Sequence, residues 1–299
     1  MKQIVILSGK GGTGKTTIAA ALAHLASQGG KAVMVDADVD ASNLELVLSP
    51  HILEATDFSS GKEALIDPAL CTACGICAEL CRFDAILPGA DAYRVDHIAC
   101  EGCALCFYQC PADAIRMEDV VSGRWFRSET RFGPLFHARL HPGEENSGKL
   151  VTMVRQQALQ LGRRSNADWV IVDGSPGIGC PVIAAATGAD LALLVTEPTL
   201  SGIHDLQRIL KTTEHFRIPA LVCVNKSDIN PTRAAEIADF SQSRDVPVVA
   251  EIPYDDAVTE AMIRGMTITE FGDGAVAAQI RRVWDTIQQT VSRREVSAR

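Results

Sequence analysis

The sequence lacks a long apolar run. No apolar segment approaches the roughly 20 residues that a membrane-spanning helix needs. The N-terminal stretch from Met1 to Leu7 also lacks the long apolar core and the cleavage site of a secretory signal peptide. Both absences predict a cytoplasmic protein with no stable membrane insertion.

Positive charge is scarce as well. The 299 residues include 28 Lys and Arg against 37 Asp and Glu, a formal net charge of −9. This balance opposes nonspecific binding to the phosphate backbone, so no nucleic-acid partner is expected. Strong compositional bias is also missing. Hydrophobic residues make up 47% and charged residues 22%, which excludes collagen-like, low-complexity and disordered classes.

Apolar runs rich in β-branched residues alternate with helical patterns along most of the chain. Such alternation predicts a doubly wound, mainly parallel α/β sheet. The expected strands are 4–7, 32–35, 169–172, 191–195, 221–224 and 246–252, with a helix over 16–27. Near the C-terminus, apolar residues from Val276 to Val291 recur at helical spacing. They predict a helix that packs on the core, with a membrane-surface helix as the alternative.

A glycine-rich loop follows the first expected strand. Residues 9–16 fit the phosphate-loop pattern G-x-x-x-x-G-K-[ST], and a helical pattern follows directly. Its glycines let N–H groups face a polyphosphate, and the helix N-terminus adds partial positive charge. Lys15 is expected to reach the β and γ phosphates, Thr16 to ligate Mg²⁺ and Thr17 to lie near the α phosphate. The expected phosphate-binding residues are Gly9, Lys10, Gly11, Gly12, Thr13, Gly14, Lys15, Thr16 and Thr17.

Lys10 narrows the family. The string Lys-Gly-Gly-Thr-Gly-Lys-Thr-Thr that begins there resembles the deviant Walker A loop of MinD, ParA, nitrogenase iron protein and Mrp-type ATPases. The resemblance implies that Lys10 reaches across a nucleotide-sandwich dimer and neutralises transition-state charge in the partner's site. Hydrolysis would then depend on a homodimer or on a heterodimer with a paralogue. The alternative is an exposed loop lysine with no such role.

Three acidic residues stand where this family would use them. By resemblance, Asp36 supports the Mg²⁺ shell and Asp38 orients the attacking water. Asp173 ends an apolar strand, like a Walker B strand, and would hold Mg²⁺ through water. On general grounds, acidic residues at the carboxyl ends of strands in an open α/β sheet lie beside the ligand.

A base-reading loop is expected after a later strand, where Asn225, Lys226 and Asp228 form an N-K-x-D sequence. GTPases read guanine with this form. In the family resembled here the Asn contacts adenine, so ATP is expected and GTP is the alternative. Pro253, in the sequence Pro-Tyr-Asp after the last strand, either flanks the base or belongs to a plain turn.

Eight of the ten cysteines lie in two similar runs at an offset of 29 residues. In a reducing compartment, such regular spacing indicates metal ligation rather than disulfides. Each run has the spacing C-x2-C-x2-C-x3-C, which matches bacterial two-cluster ferredoxins, where the fourth cysteine of one run ligates the other cluster. Zinc is the alternative, although zinc sites use pairs of C-x-x-C. The predicted [4Fe-4S] ligands are Cys71, Cys74, Cys77 and Cys110 for one cluster and Cys81, Cys100, Cys103 and Cys106 for the other.

These runs predict the domain organisation. Residues 1–61 and 119–299 are expected to form a MinD-type P-loop ATPase domain, and 62–118 an inserted ferredoxin-like α+β domain. A domain so small has little core and should fold poorly without its clusters. Arg82 follows the first run at the position where the second run has Pro111. A cation there would raise the reduction potential of the second cluster.

Two histidines and two cysteines lie outside these motifs. The Gly- and Pro-rich segment 122–148 is expected to return irregularly to the main domain. His137 and His141 in this segment are expected to be solvated, and the alternative is that they are metal ligands or proton carriers. Cys223 is expected in the core. Cys180 lies just beyond Asp173, and two copies across a dimer would place two thiolates near the twofold axis. Since the bridging clusters of the nitrogenase iron protein and Mrp-type scaffolds use two cysteines per subunit and only one is in place here, a buried inert thiol is expected, and a bridging metal site is the alternative.

The two modules together predict a Mg²⁺-dependent ATPase whose nucleotide state governs a dimer and which passes electrons through two [4Fe-4S] clusters to a redox partner. A first alternative is a factor that assembles an iron-sulfur or other metal cluster and hands it to an apo metalloprotein acceptor. A second is a positioning switch of the MinD or ParA type. The cysteine insert argues against the switch, which has no use for redox clusters.

Overall fold

The protein is described here by a computed structural model that covers residues 1–142 and 147–297, with side chains up to residue 293. The expected mainly parallel α/β sheet is confirmed. The strands are β1 (Lys2–Ser8), β2 (Ala32–Asp36), β3 (His51–Ile66), β4 (Ile86–Leu87), β5 (Arg94–Val95), β6 (Ile115–Thr130), β7 (Gly133–Leu140), β8 (Trp169–Pro176), β9 (Leu191–Thr196), β10 (Ala220–Asn225) and β11 (Val248–Ile252).

Helices separate most of the strands. Among the described residues, no helix is long and apolar enough to cross a bilayer. The helices are α1 (Lys15–Gly29), α2 (Leu44–Leu48), α3 (Ile76–Leu80), α4 (Leu105–Gln109), α5 (Ser147–Arg164), α6 (Cys180–Ala186), α7 (Leu200–His215), α8 (Pro231–Ser243), α9 (Ala257–Ile263), α10 (Ile268–Phe271) and α11 (Ala275–Ser297).

The order of strands in the main sheet is β11-β10-β9-β1-β8-β2-β7-β6-β3. Strand β1 lies between β9 and β8 and runs parallel to both. The pairs β8 with β2, β2 with β7, β9 with β10 and β10 with β11 are also parallel. The carboxyl ends of these strands therefore meet at one edge of the sheet, where open α/β sheets bind their ligands.

Two compact units divide the described chain. The first contains residues 1–55, 125–139 and 147–297, and the second contains 56–124 and 140–142. The second unit includes the 62–118 segment that was predicted to form an inserted domain.

The core of the first unit explains why its strands form. Residues 4–7 of β1 are wholly buried, as strands covered on both faces must be. Helix α11 packs against this core, and the Trp284 ring lies 4.8 Å from that of Trp169. The prediction of a core-packing helix is therefore confirmed. Its buried residues are Val276, Ile280, Val283, Trp284, Ile287 and Val291.

The predicted irregular return over 122–148 is wrong for most of its length. Residues 122–130 continue β6, and β7 turns back from Gly133 and pairs with β2 through Leu135 and Phe136. Glycine and proline misled the interpretation because Gly133 and Pro134 stand at the start of β7, where a strand tolerates proline. Residues 143–146 of the predicted segment lie outside the described residues.

The second unit repeats its backbone at the offset of 29 residues seen in the sequence. Helices α3 and α4 are related by this offset, and each is preceded by a left-handed residue. A small core contains Ala64, Ile86 and Ile115 together with cysteine side chains. The repeated residues with positive φ are Ala73 (52°) and Gly102 (62°), Gly75 (81°) and Ala104 (62°), and Asp84 (51°) and Asp113 (50°).

Candidate functional site

The phosphate loop lies between the end of β1 and the start of α1 at Lys15. Gly12 and Gly14 have φ of 79° and 87°, in the left-handed region that favours glycine. A Cβ on Gly14 would also lie 2.3 Å from Nδ2 of Asn225. The Asn225 amide donates to the Thr13 carbonyl at 2.8 Å. The loop that was predicted to read the base is thus joined to the phosphate loop.

Lys15 is buried at the first position of α1. Its Nζ lies 3.1 Å from Oδ1 of Asp173, which ends the apolar part of β8 and is 1% exposed. Within the described chain, the second oxygen of Asp173 is buried without a hydrogen-bond partner. An unpartnered buried carboxylate oxygen beside a phosphate loop suits a hard cation such as Mg²⁺.

Asp36 ends β2 and lies in register with Asp173 on β8. Its carboxylate accepts hydrogen bonds from the Asp38 N–H at 3.0 Å, the Ser42 hydroxyl at 2.7 Å and the Leu44 N–H at 3.0 Å. Burial and the charge of Asp173 nevertheless raise the pKa of Asp36 to about 7. Two facing carboxylates that repel each other in this way would be stabilised by a divalent cation, so Asp36 and Asp173 fit the predicted Mg²⁺ site.

Asp38 lies two residues beyond the end of β2 and is half-buried. Burial raises the pKa of Asp38, while the charge of Lys15 opposes the shift and Asp173 adds to it. Asp38 thus belongs electrostatically to the same cluster. Thr16 follows Lys15 in the first turn of α1, as the prediction for a Mg²⁺ ligand requires.

Lys10 contacts its own chain in this structure. Its Nζ lies 3.1 Å from Oε2 of Glu197, and the Nζ of Lys226 lies 2.5 Å from Oε1 of the same carboxylate. Lys10 also donates to the hydroxyls of Thr199 and Ser201 at 3.3 Å. Although burial opposes it, hydrogen bonds from the two lysines lower the pKa of Glu197. Sequence reasoning missed Glu197, although its position directly after β9 at the carboxyl edge was a usable signal.

A cavity of about 280 Å³ adjoins the phosphate loop. Lys226 closes one side by donating to the Gly12 carbonyl at 3.1 Å. Asp228 does not line the cavity but accepts a hydrogen bond from the Tyr254 N–H at 2.7 Å. Helices α9 and α11 provide an apolar wall of this cavity, which was not predicted from the sequence. The lining residues are Gly12, Gly14, Thr17, Ile18, Asn225, Lys226, Ile252, Pro253, Tyr254, Asp255, Val258, Thr259, Val276 and Ile280.

The cysteines of the second unit surround two further cavities. Each cavity is lined by the four cysteines that the ferredoxin pattern assigns to one cluster. The first is lined by Cys71, Cys74, Cys77 and Cys110, and the second by Cys81, Cys100, Cys103 and Cys106.

Backbone N–H groups point at several of these sulfurs. Ala73 N–H donates to Cys71 Sγ at 3.4 Å, and Ala114 N–H donates to Cys110 Sγ at 3.3 Å. Burial raises the pKa of the Cys77 and Cys106 thiols. In residues 1–142 and 147–297, no three His, Cys, Asp or Glu side chains are arranged to hold a single metal ion.

The remaining predicted thiols and histidines differ in their outcomes. Cys223 is fully buried, as predicted, and burial raises its pKa to about 12. Cys180 begins α6 and is exposed, so the prediction that its thiol is buried is wrong. His141 is exposed, as expected, but His137 is 1% exposed on β7. His137 was expected to be solvated because its segment was taken for a loop.

Comparisons with known proteins agree with the nucleotide-site geometry. The model of the CobQ/CobB/MinD/ParA nucleotide-binding domain matches residues 4–268. An uncharacterized protein of Methanocaldococcus jannaschii is 35% identical over 228 residues, which is 76% of this chain and 79% of the relative. The septum site-determining protein MinD of Buchnera aphidicola is 26% identical, over 89% of this chain and 83% of its own length.

Solved structures share the fold. MinD of Pyrococcus horikoshii, complexed with Mg-ADP, superposes with a TM-score of 0.58 at 19% identity. The match covers 96% of this chain and 95% of that one.

Proposed function

The chain belongs to the CobQ/CobB/MinD/ParA family of nucleotide-binding domains, and we propose that it is a Mg²⁺-dependent ATPase carrying two [4Fe-4S] clusters. In this proposal, ATP binding drives association with a second copy or with a paralogue. The clusters carry electrons to or from a redox partner, and hydrolysis resets the association.

The proposal that the protein carries two clusters rests on how the eight cysteines are distributed between the two cavities. Four residues from two distant stretches line each cavity, with the fourth cysteine exchanged between the two runs. Structural zinc sites do not need such an exchange, whereas two-cluster ferredoxins are built on it. N–H groups directed at Cys71 and Cys110 would also stabilise thiolates that bind a cluster.

The ATPase half rests on the phosphate loop and its carboxylates. Bound Mg²⁺ would supply positive charge to the phosphates, and each cluster would take up or release one electron. Lys15 would leave Asp173 for the β and γ phosphates, and Thr16, Asp36 and Asp173 would hold the metal. Asp38, which is half-buried, would orient the attacking water.

Lys10 would supply the charge that makes hydrolysis depend on association. It is tied to Glu197 within its own chain, so it must exchange that carboxylate for the partner's nucleotide. The cavity lined by Asn225 and Pro253 would take the base. The resemblance of the phosphate loop to the MinD and ParA family favours adenine over guanine.

The MinD relatives favour a second candidate, a nucleotide-dependent positioning switch. The Buchnera relative is named a septum site-determining protein. In that reading, ATP-driven association would control binding to another surface, and the cysteine-rich unit would have a separate role.

The test is ATP hydrolysis by protein purified without oxygen, with its iron content determined and its clusters either oxidised or reduced by dithionite. Lys15→Ala protein serves as the control for contaminating ATPases. A rate that changes with cluster oxidation state supports the coupled ATPase. Absence of hydrolysis in the unsubstituted protein would overturn the ATPase half.

The remaining outcomes separate the alternatives. Protein that hydrolyses ATP but contains no iron and sulfide after anaerobic reconstitution contradicts the redox half and leaves the switch. Iron that moves to an apo acceptor protein, with a rate independent of oxidation state, would indicate cluster assembly instead of electron transfer.

A further inference from the structure

Helix α2 is too short to be stable alone, yet its first residue is hydrogen-bonded to Asp36 of the nucleotide site. It spans Leu44–Leu48, and helices of this length are marginal in water. The N–H of Leu44 donates to Oδ2 of Asp36 at 3.0 Å. The Ser42 hydroxyl, two residues before α2, donates to the same oxygen at 2.7 Å. The position of α2 therefore bears on one oxygen of the Asp36 carboxylate, both through Leu44 and through the segment that leads into the helix.

The start of α2 is held from β7. Glu45 ion-pairs with Arg139, and its Oε2 also lies 3.4 Å from Nδ1 of the buried His137. The His137 ring is fixed in turn, because its Nε2 lies 2.9 Å from the Ser128 hydroxyl and the ring stacks on Phe126 at 5.0 Å. Among the described residues, His137 Nδ1 is buried and makes no hydrogen bond, so the ring holds the Glu45 carboxylate by close contact only. Burial lowers the pKa of His137.

The end of α2 is held from the turn between β6 and β7. The Arg131 guanidinium donates to the carbonyls of Val47 and Leu48 at 3.1 Å. These carbonyls lack partners within a helix that ends there, and a cation at this end complements the helix dipole. Glu270 fixes the guanidinium through two hydrogen bonds of 2.8 Å.

The strand that carries His137 also pairs with the strand that carries Asp36. Val35 on β2 lies in register with Phe136 on β7, one residue before Asp36 and His137 respectively. The hairpin, α2 and the end of β2 thus form a closed ring of contacts. Movement of β7 relative to β2 would shift α2 and the N–H that Asp36 accepts.

We propose that the β6–β7 hairpin is a positioning clamp for Asp36, with Arg131 and His137 as positioning residues at the two ends of α2. The inference rests on the proposed Mg²⁺-nucleotide site and deepens it. Outer partners of metal-binding carboxylates tune metal affinity without touching the metal. The clamp should therefore affect nucleotide binding with Mg²⁺ and leave binding without Mg²⁺ intact.

The experiment measures the affinity for a fluorescent ADP analogue in excess Mg²⁺ and in EDTA. In Mg²⁺, Arg131→Met should weaken binding about tenfold and His137→Phe about threefold, at or below the range for outer-shell partners. In EDTA, both variants should match the unsubstituted protein within about twofold. Matched controls are Arg124→Met, a surface ion-pair residue on β6, and the exposed His141→Phe.

The outcomes distinguish failure of the clamp from failure of the proposed Mg²⁺-nucleotide site on which it rests. If the unsubstituted protein binds the analogue equally with and without Mg²⁺, the Mg²⁺ site itself is refuted. If Mg²⁺ enhances binding equally in the unsubstituted protein and in folded variants, the clamp is refuted. Equal losses with and without Mg²⁺ also overturn it, because they indicate general damage. Should His137→Phe fail to fold, Glu45→Gln tests the same end of α2.

Discussion

The carboxylates of Asp36 and Asp173 stand in register at the ends of neighbouring strands, each 1% exposed. Lys15 pairs with one oxygen of Asp173. Its single positive charge does not neutralise two ionised carboxylates. Buried like charges on neighbouring strands are costly unless a proton or a cation joins them. The site is thus arranged to accept positive charge along with the phosphates.

Replacing Lys15 tests this arrangement. Lys15→Ala should abolish nucleotide binding, because it removes the cation directed at the phosphates. It should also destabilise the nucleotide-free protein by about 3 kcal/mol, the cost of leaving a buried partner unpaired. Titration calorimetry and urea unfolding measure the two effects. Lys211→Ala, an exposed lysine on α7, should change neither.

Lys10 should matter for hydrolysis and not for binding. Lys10→Ala is expected to bind ATP within about twofold of the unsubstituted protein and to hydrolyse it at least about 100-fold more slowly, as for loss of a charge that acts in the transition state. Single-turnover hydrolysis at saturating ATP measures the second quantity. Hydrolysis at the normal rate would sink the role of Lys10 in the partner's site.

The two cysteine sets predict separable losses of iron. Cys74→Ser should reduce the iron content from about eight to about four atoms per chain and leave the ATPase fold intact. Cys180→Ser, a matched change at an exposed thiol outside both sets, should keep the full content. Unfolding of the whole chain by Cys74→Ser would show that the cysteine-rich unit is not independent of the first.

Equivalent positions of the repeat should respond differently to one methyl group. A Cβ on Gly102 would lie 1.9 Å from the Lys62 carbonyl oxygen, whereas the equivalent residue in the first run is already Ala73. Gly102→Ala should therefore cost about half of the iron, through the Cys100 cluster. Ala73→Gly should retain it. Equal iron in both variants would contradict the close approach of the Lys62 backbone.

Glu270 should stabilise the first unit at neutral pH but not in acid. Although burial opposes it, hydrogen bonds from Arg131 and Thr267 lower the pKa of Glu270 to about 2. Because the folded pKa lies below the unfolded value of about 4.3, the contribution is complete above that value and is lost as pH falls towards 2.

Glu270→Gln should accordingly destabilise the protein by about 1 to 2 kcal/mol at pH 7, after allowance for screening by solvent. The difference should shrink below pH 4. Urea unfolding followed by tryptophan fluorescence reports on this unit, which contains Trp125, Trp169 and Trp284. A difference that is independent of pH would refute the ionic contribution of Glu270.

Local features of the sequence predicted much of the nucleotide site. The phosphate loop is one contiguous segment. Its glycines were expected to form a tight turn before a helix, and in the structure Gly14 is left-handed and Lys15 begins α1. Buried parallel strands such as β1 and β9 were legible because they are apolar throughout. Asn225 ends one such strand and Pro253 follows another, so both reach the same edge.

Features that depend on distant residues could not be predicted. Strand β3 is mostly exposed over residues 51–57, so no apolar run marked it. His137 is buried because β7 pairs with β2, a register that no local pattern encodes. The sequence could place Glu197 at the carboxyl edge, but its pairing with Lys10 and Lys226 depends on folding that brings both lysines to one carboxylate. Val276 was read correctly as core, but its second role in the wall of the cavity depends on the placement of the final helix.

The position of β1 between β9 and β8 gives the two ends of a bound nucleotide different mechanical supports. The phosphate loop continues from this central strand, whose amide hydrogens should exchange with solvent only when the whole unit unfolds. The cavity lined by Asn225 and Pro253, which we propose takes the base, borders β11, the last strand on its side of the sheet, and helices α9 and α11. Elements at the edge of a sheet unfold locally more often than central ones. The protein around the base should therefore open transiently while the protein around the phosphates stays folded.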